Sequence, residues 1–251
     1  MGPALSTYAL GLGDDALILA QRLGGWVTRA PQIEEDMALA NIALDLLGQA
    51  RTLLTYAGEV EGNGRDEDDL AYLRDEREFR NVHLVEIGNG DFAVTIARQL
   101  LFAAYQVELY TALSASKDAT LAGLAGKALK EVLYHRDHAT QWVLRLGDGT
   151  AESHDRMQTG MDATWPYVEE LFDTTDVEQL LAALPGIAVD PSTLRPAWST
   201  YVHDVLDEAT LAVPQPKWRS RGGRHGYHSE ALGHLLPEMQ NLHRSHPGAS
   251  W

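Results

Sequence analysis

The chain has 251 residues, with 20 Lys and Arg against 36 Asp and Glu, a formal charge of −16, and no cysteine. A negative field of that size repels phosphates and argues against a general nucleic-acid binder; a nucleotide or CoA substrate would need a local basic patch or a partner for counter-charge. Without cysteine there is no disulfide, thiolate zinc site, cysteine-ligated cluster or cysteine nucleophile. The opening MGPALSTYALGLGDD lacks the basic-then-apolar pattern of a secretory signal, and no apolar run reaches the roughly 18–20 residues that span a bilayer. A cytoplasmic globular protein is the expectation.

Leu and Ala together number 68 and Val and Ile 20, which favours helix, because β-branched side chains lose rotamer freedom there. The first helix is expected from about Leu5 to Val27, with Asp14 and Asp15 as solvated residues. After the TRAP loop, Pro31 and the acidic run Glu34, Glu35 and Asp36 suit a helix start. Leu39, Ala43, Leu46, Ala50, Leu53 and Ala57 then alternate fours and threes, one buried stripe of a second helix that ends around Gly58–Gly64. The charged run RDEDDLAYLRDEREFRN reads as a short solvated helix within a long connection. Asn89-Gly90-Asp91 caps a third helix, Phe92 to about Ser116, and a fourth runs from about Ala119 to Leu146.

Four long helices with one long crossover between the second and third describe an all-α, ferritin-like four-helix bundle. Further helices are expected near 152–172, 175–184, 191–211 and 228–245, a C-terminal helical extension separated by Pro- and Gly-rich breaks. The chain reads as one domain over 1–251, with a core bundle over 1–150 and added helices over 151–251.

Bundles of this type often hold two irons, with a Glu from each of two helices and a Glu-x-x-His from each of the others. The sequence contains no Glu-x-x-His. The nearest approach is KEVLYHRDHATQW, where Glu131, His135 and His138 share a helix face, together with Glu108 on the third helix. These four are candidates for a vestigial or alternative metal site; the plainer reading is that they hydrogen-bond one another or a neighbouring subunit. On the second helix the matching inward positions are Leu46 and Gln49, neither a competent iron ligand here. Asn41, Asp45, Gly48 and Thr52 form a small and polar stripe that suggests a second packed surface, or else a wetted face.

The chain resembles the C subunits of bacterial phenylacetyl-CoA 1,2-epoxidases. The residues that carry the likeness are WVTRAPQIEEDMALANIALDLLGQARTLL, LRDEREFRNVHLVEIGNGDFAVTIARQ, KEVLYHRDH, GIAVDPSTLRPAW, EATLAVPQ and GGRHGYHSEALGHLLPEMQ, in order over essentially the whole length. The resemblance implies a non-catalytic structural subunit of a multicomponent, NADPH-dependent monooxygenase of aerobic phenylacetate breakdown. It also implies a di-iron centre in a paralogous A subunit, a bridging B subunit and a reductase. In the A subunit's register the first Glu-x-x-His falls on Leu46 and Gln49. In the second, Glu131 remains, but the histidine slot falls on Tyr134 and His135 comes one residue late, a rotation of about 100°. No cofactor is therefore expected in this chain. The same surface would also let the isolated chain form a homodimer. An active di-iron oxygenase using Glu108, Glu131, His135 and His138 is the alternative.

Positive charge concentrates only in KWRSRGGR. Lys217, Arg219, Arg221 and Arg224 are candidates for contacting an acidic partner or the phosphates of CoA, against a solvated mobile loop. His228 and Glu230, just beyond, read as partner-facing or capping residues.

Overall fold

The Leu- and Ala-rich composition yields helices throughout the computed structural model, which describes the backbone of residues 2–183 and 186–249; no strand occurs among the described residues. Helix α1 (Gly2–Gly24) starts and stops earlier than the sequence pattern predicts, because Gly24-Gly25 opens a turn in which Arg29 N–H donates to the Trp26 carbonyl at 2.7 Å. Helix α2 (Ile33–Glu61) buries Leu39, Leu46, Ala50, Leu53 and Ala57, the expected stripe, with Ala43 half-buried at its edge. Gly62 closes it in the left-handed conformation, φ 75°. The two helices lie against each other so closely that a Cβ on Gly13 would meet Leu54 Cδ2 at 2.9 Å.

Between α2 and α5 (Phe92–Leu113) run thirty residues carrying α3 (Glu67–Tyr72) and α4 (His83–Glu86). This connection is not the solvated segment its charge suggests. It buries Leu70, Arg74, Phe79, Asn81, Val82, Leu84 and Val85, because partners on α1 and on the distant C-terminal segment neutralise its polar groups. Asp91 caps α5 by accepting from Val94 N–H at 3.0 Å, and Asp118 caps α6 (Ala119–Gly147) in the same way.

Helix α5 packs along α6, and α2 meets α6, completing the two helix pairs of a ferritin-like bundle. Helix α7 (Ala151–Thr164) lies on α5; the helix expected to reach 172 instead breaks at Trp165-Pro166 into 3-10 turns. Helix α8 (Asp176–Ala183) rests on α1, and the expected end of that helix at Leu184, with Pro185 after it, lies outside the described residues. Helix α9 (Arg195–Glu208) reaches α5, where Trp198 Nε1 donates to the Leu101 carbonyl at 2.9 Å, and α10 (Glu230–Ser245) returns to α3. One contiguous apolar core runs from Leu5 to Leu236. No described helix is long and apolar enough to cross a membrane.

Candidate functional site

Bundles of this type hold metal between their four facing helices, and α2 meets α6 across that space. Hydrogen-bonded pairs descend α6 as they climb α2, so the helices are antiparallel: His138 Nε2 with Glu35 at 2.8 Å, His135 Nε2 with Asp45 at 3.0 Å, and Gln49 Nε2 donating to Glu131 at 2.9 Å. Tyr110 on α5 donates its hydroxyl to Gln49 Oε1 at 3.1 Å, so the amide is used at both ends. Leu46 is fully buried and apolar, and Tyr134 points half into solvent. Glu108 lies apart, 3.9 Å from Arg136.

This donor set does not fit a dinuclear iron site. One inward position is a hydrocarbon, another is an amide held by a tyrosine and a carboxylate, and the imidazoles are each engaged with α2 carboxylates. Burial pushes the His135 imidazole below its ordinary range, against the raising effect of Asp45. His138 Nδ1 is buried without a hydrogen-bond partner, but one nitrogen does not make a two-metal site. Among the described residues no group of three or more His, Cys, Asp or Glu is placed to hold a metal ion.

The basic segment separates into two kinds of residue. Lys217, Arg219 and Arg221 are exposed; Arg219 lies 3.3 Å from Glu169, which Arg195 also grips, and Arg221 lies 3.8 Å from Asp173. Arg224 turns inward. Its guanidinium donates to Asp15 at 2.6 Å and to the Gly11 and Arg80 carbonyls at 2.8 and 2.9 Å, which commits it within the chain. A cleft of about 200 Å³ beside it is lined by Tyr8, Gly11, Arg80, Glu178 and His225. That volume falls below the roughly 300–1,000 Å³ of ordinary ligand pockets.

Asp14 and Asp15 are thus buried, not solvated. Asp14 takes both terminal nitrogens of Arg74 at 2.9 and 2.5 Å and the Arg80 N–H at 2.8 Å. Asp15 takes Arg224 and the Val82 N–H, also at 2.8 Å; burial pushes its carboxyl up to about 6, and the guanidinium opposes any further rise.

His228 is neither partner-facing nor a cap, since both its nitrogens face buried acceptors, Glu86 at 2.8 Å and the Phe79 carbonyl at 3.0 Å. His83 pairs with Glu170 at 2.7 Å, and Glu170 also accepts from Gly223 N–H at 2.7 Å. Burial works against the charge on both members of this pair. The contact outweighs it, raising the imidazole and lowering the carboxyl from their ordinary values. These pairs clasp the crossover to the C-terminal segment. The sequence signal for them is two ionisable groups, His83 and Glu86, inside the apolar run Val82, Leu84, Val85 and Ile87.

The PaaA_PaaC family model, described as phenylacetic acid catabolic protein, matches residues 2–251. The C subunit of the 1,2-phenylacetyl-CoA epoxidase of Escherichia coli (strain K12) is 50% identical over 247 residues, 98% of this chain and 99% of that protein. The chain belongs to the phenylacetic acid catabolic protein family, and the resemblance read from its sequence is borne out.

Proposed function

We propose that this chain is a non-catalytic structural subunit of a phenylacetyl-CoA 1,2-epoxidase, a multicomponent NADPH-dependent monooxygenase of the cytoplasm. It supports a paralogous A subunit that carries the di-iron centre, alongside a bridging B subunit and a reductase. The 50% identical relative, itself the C subunit of such an epoxidase, supports the assignment to a complex of this kind. The observation that carries the non-catalytic reading is the seam: Gln49 donates to Glu131 beside the buried Leu46, and in the register that the resemblance implies Leu46 and Gln49 take the places of a Glu and a His. An amide that bridges two helices through hydrogen bonds does mechanically what a bridging metal would do, without redox chemistry. A core that runs from Leu5 to Leu236 supports one domain over 1–251.

Metal analysis of the purified chain after incubation with ferrous iron and desalting tests the reading. Iron well below one atom per chain is expected. About two irons per chain would overturn it in favour of an oxygenase built on Glu108, Glu131, His135 and His138. The exposed Lys217, Arg219 and Arg221 remain the candidates for an acidic partner or the CoA phosphates, tested by the KM for phenylacetyl-CoA of the complex carrying all three as Ala.

A further inference from the structure

The tripeptide Gly-Asn-Gly occurs twice, at Gly62-Asn63-Gly64 and at Gly88-Asn89-Gly90. An asparagine followed by glycine is open to attack on its own amide, because glycine has no Cβ to shield its backbone nitrogen. The shared local sequence gives both sites the same intrinsic chemistry, so the fold decides what happens at each. The second copy is tied down. Asn89 Nδ2 donates to the Arg22 carbonyl at 2.7 Å, its Oδ1 accepts from Arg98 at 2.7 Å, and its own carbonyl accepts from Thr95 at 2.9 Å. A Cβ on Gly90 would meet Val94 at 2.9 Å. The first copy stands in the open turn after α2. Asn63 and Gly64 are exposed, and a Cβ on Gly62 or Gly64 would meet nothing within 4 Å. Both glycines are left-handed, φ 75° and 76°, and among the described residues no acceptor meets the Gly64 N–H. The Asn63 amide lies by Glu61, whose carboxyl is held below its ordinary range by Arg65 foremost and by Asn63 after it.

We infer that Asn63 is a site of spontaneous deamidation, and that the fold spares Asn89. The Gly64 nitrogen attacks Asn63 Cγ; the N–Cγ bond forms, the Cγ–Nδ2 bond breaks, and ammonia leaves with the proton that the nitrogen gave up. Water then opens the five-membered imide at either carbonyl, leaving aspartate or isoaspartate at position 63. No oxidant or reductant takes part. The product adds one negative charge to a chain already at −16, at the C-terminal end of α2 where the helix dipole disfavours it. There it competes with Glu61 for Arg65, whose guanidinium donates to Glu61 at 2.5 and 2.9 Å. Isoaspartate also lengthens the backbone by one carbon between the end of α2 and Asp66, the cap of α3. The modification therefore loosens the join between α2 and the crossover.

The test incubates the full folded chain at mildly alkaline pH, where the attacking nitrogen loses its proton more readily, and follows both asparagines by peptide mapping. An isoaspartate-specific carboxyl methyltransferase with labelled S-adenosylmethionine counts the isoaspartate. Asn63 should convert, and Asn89 should convert more slowly by about tenfold or more, because it must first release two side-chain hydrogen bonds. Asn63→Gln, whose longer side chain disfavours the five-membered ring, should sharply cut methyl incorporation and remove the new acidic species on ion exchange. With the chain unfolded in denaturant, the two sites should convert at similar rates. An Asn63 amide that survives in the folded chain overturns the inference. So does conversion at Asn89 as fast as at Asn63 in the folded chain, or undiminished methyl incorporation in Asn63→Gln.

Discussion

Two histidine–carboxylate pairs in this chain, one in the α2–α6 seam and one in the clasp, have opposite electrostatic character. In the α2–α6 seam, His135 meets Asp45, which keeps more than a third of its side chain in solvent, and burial drives the imidazole toward neutrality. In the clasp, His83 meets a Glu170 that is almost wholly buried, and the pair favours its charged form. The seam joins α2 to α6 through hydrogen bonds that water partly reaches. The clasp uses buried charge to join segments far apart in sequence. The fold therefore depends electrostatically on the crossover and the segments it is clasped to.

The largest effect should come from breaking that buried charge. Arg74→Met leaves Asp14 with no counter-ion and should cost about 3–5 kcal/mol in denaturant unfolding, and Arg224→Ala should fall in the same range through Asp15. A smaller loss in both would mean that water reaches these carboxylates.

The two histidines should respond to pH with opposite signs. The folded state raises His83, so it holds a proton that the unfolded chain releases. Its stabilisation is complete below the ordinary 6.5 and is lost as pH climbs through the raised value. Glu170, held low, adds stability above 4.5 that is lost as pH falls. His135, pushed low, contributes above 6.5 and loses its contribution as pH falls below that value. Stability followed across pH should show His83→Gln flattening the alkaline limb and His135→Gln flattening part of the acid limb.

Gln49→Leu comes next, at about 1–3 kcal/mol, because it strands one side of Glu131 and removes one of the hydrogen bonds of the Tyr110 hydroxyl, which Gln106 also meets. Adding Glu131→Leu should recover part of the loss, a non-additivity that a double-mutant cycle would read directly. Smallest of all, Arg219→Ala and Arg221→Ala should each change stability by under about 1 kcal/mol, since both pairs are largely exposed. The contrast with Arg224→Ala separates one inward arginine from its outward neighbours on the same loop.

Period and capping make most of the fold legible. The inward stripe of α2 and the Asp91 cap need only local spacing. Leu46 and Gln49, likewise, are read as poor iron ligands from residue type alone. The burial of Asp14 and Asp15 is not legible in this way, because it depends on counter-charges that local sequence does not contain. The charged crossover misleads for the same reason: Arg74 in an acidic run looks solvated until α1 is laid across it. The stripe of Asn41, Asp45, Gly48 and Thr52 is exposed or half-buried in the chain, the surface position that its residue types allow.

The arginine that completes α1 lies 209 residues downstream of Asp15. A ribosome adding about 5–20 residues each second needs on the order of 10–40 s to cover that distance. Throughout that time the first helix carries a carboxylate that cannot be put away, so it stays hydrated and its pairing with the crossover stays provisional. Synthesis of the stretch that holds Gly223, Arg224 and His228 therefore gates the whole structure, and nascent chains truncated before residue 224 should remain substrates for chaperones and proteases.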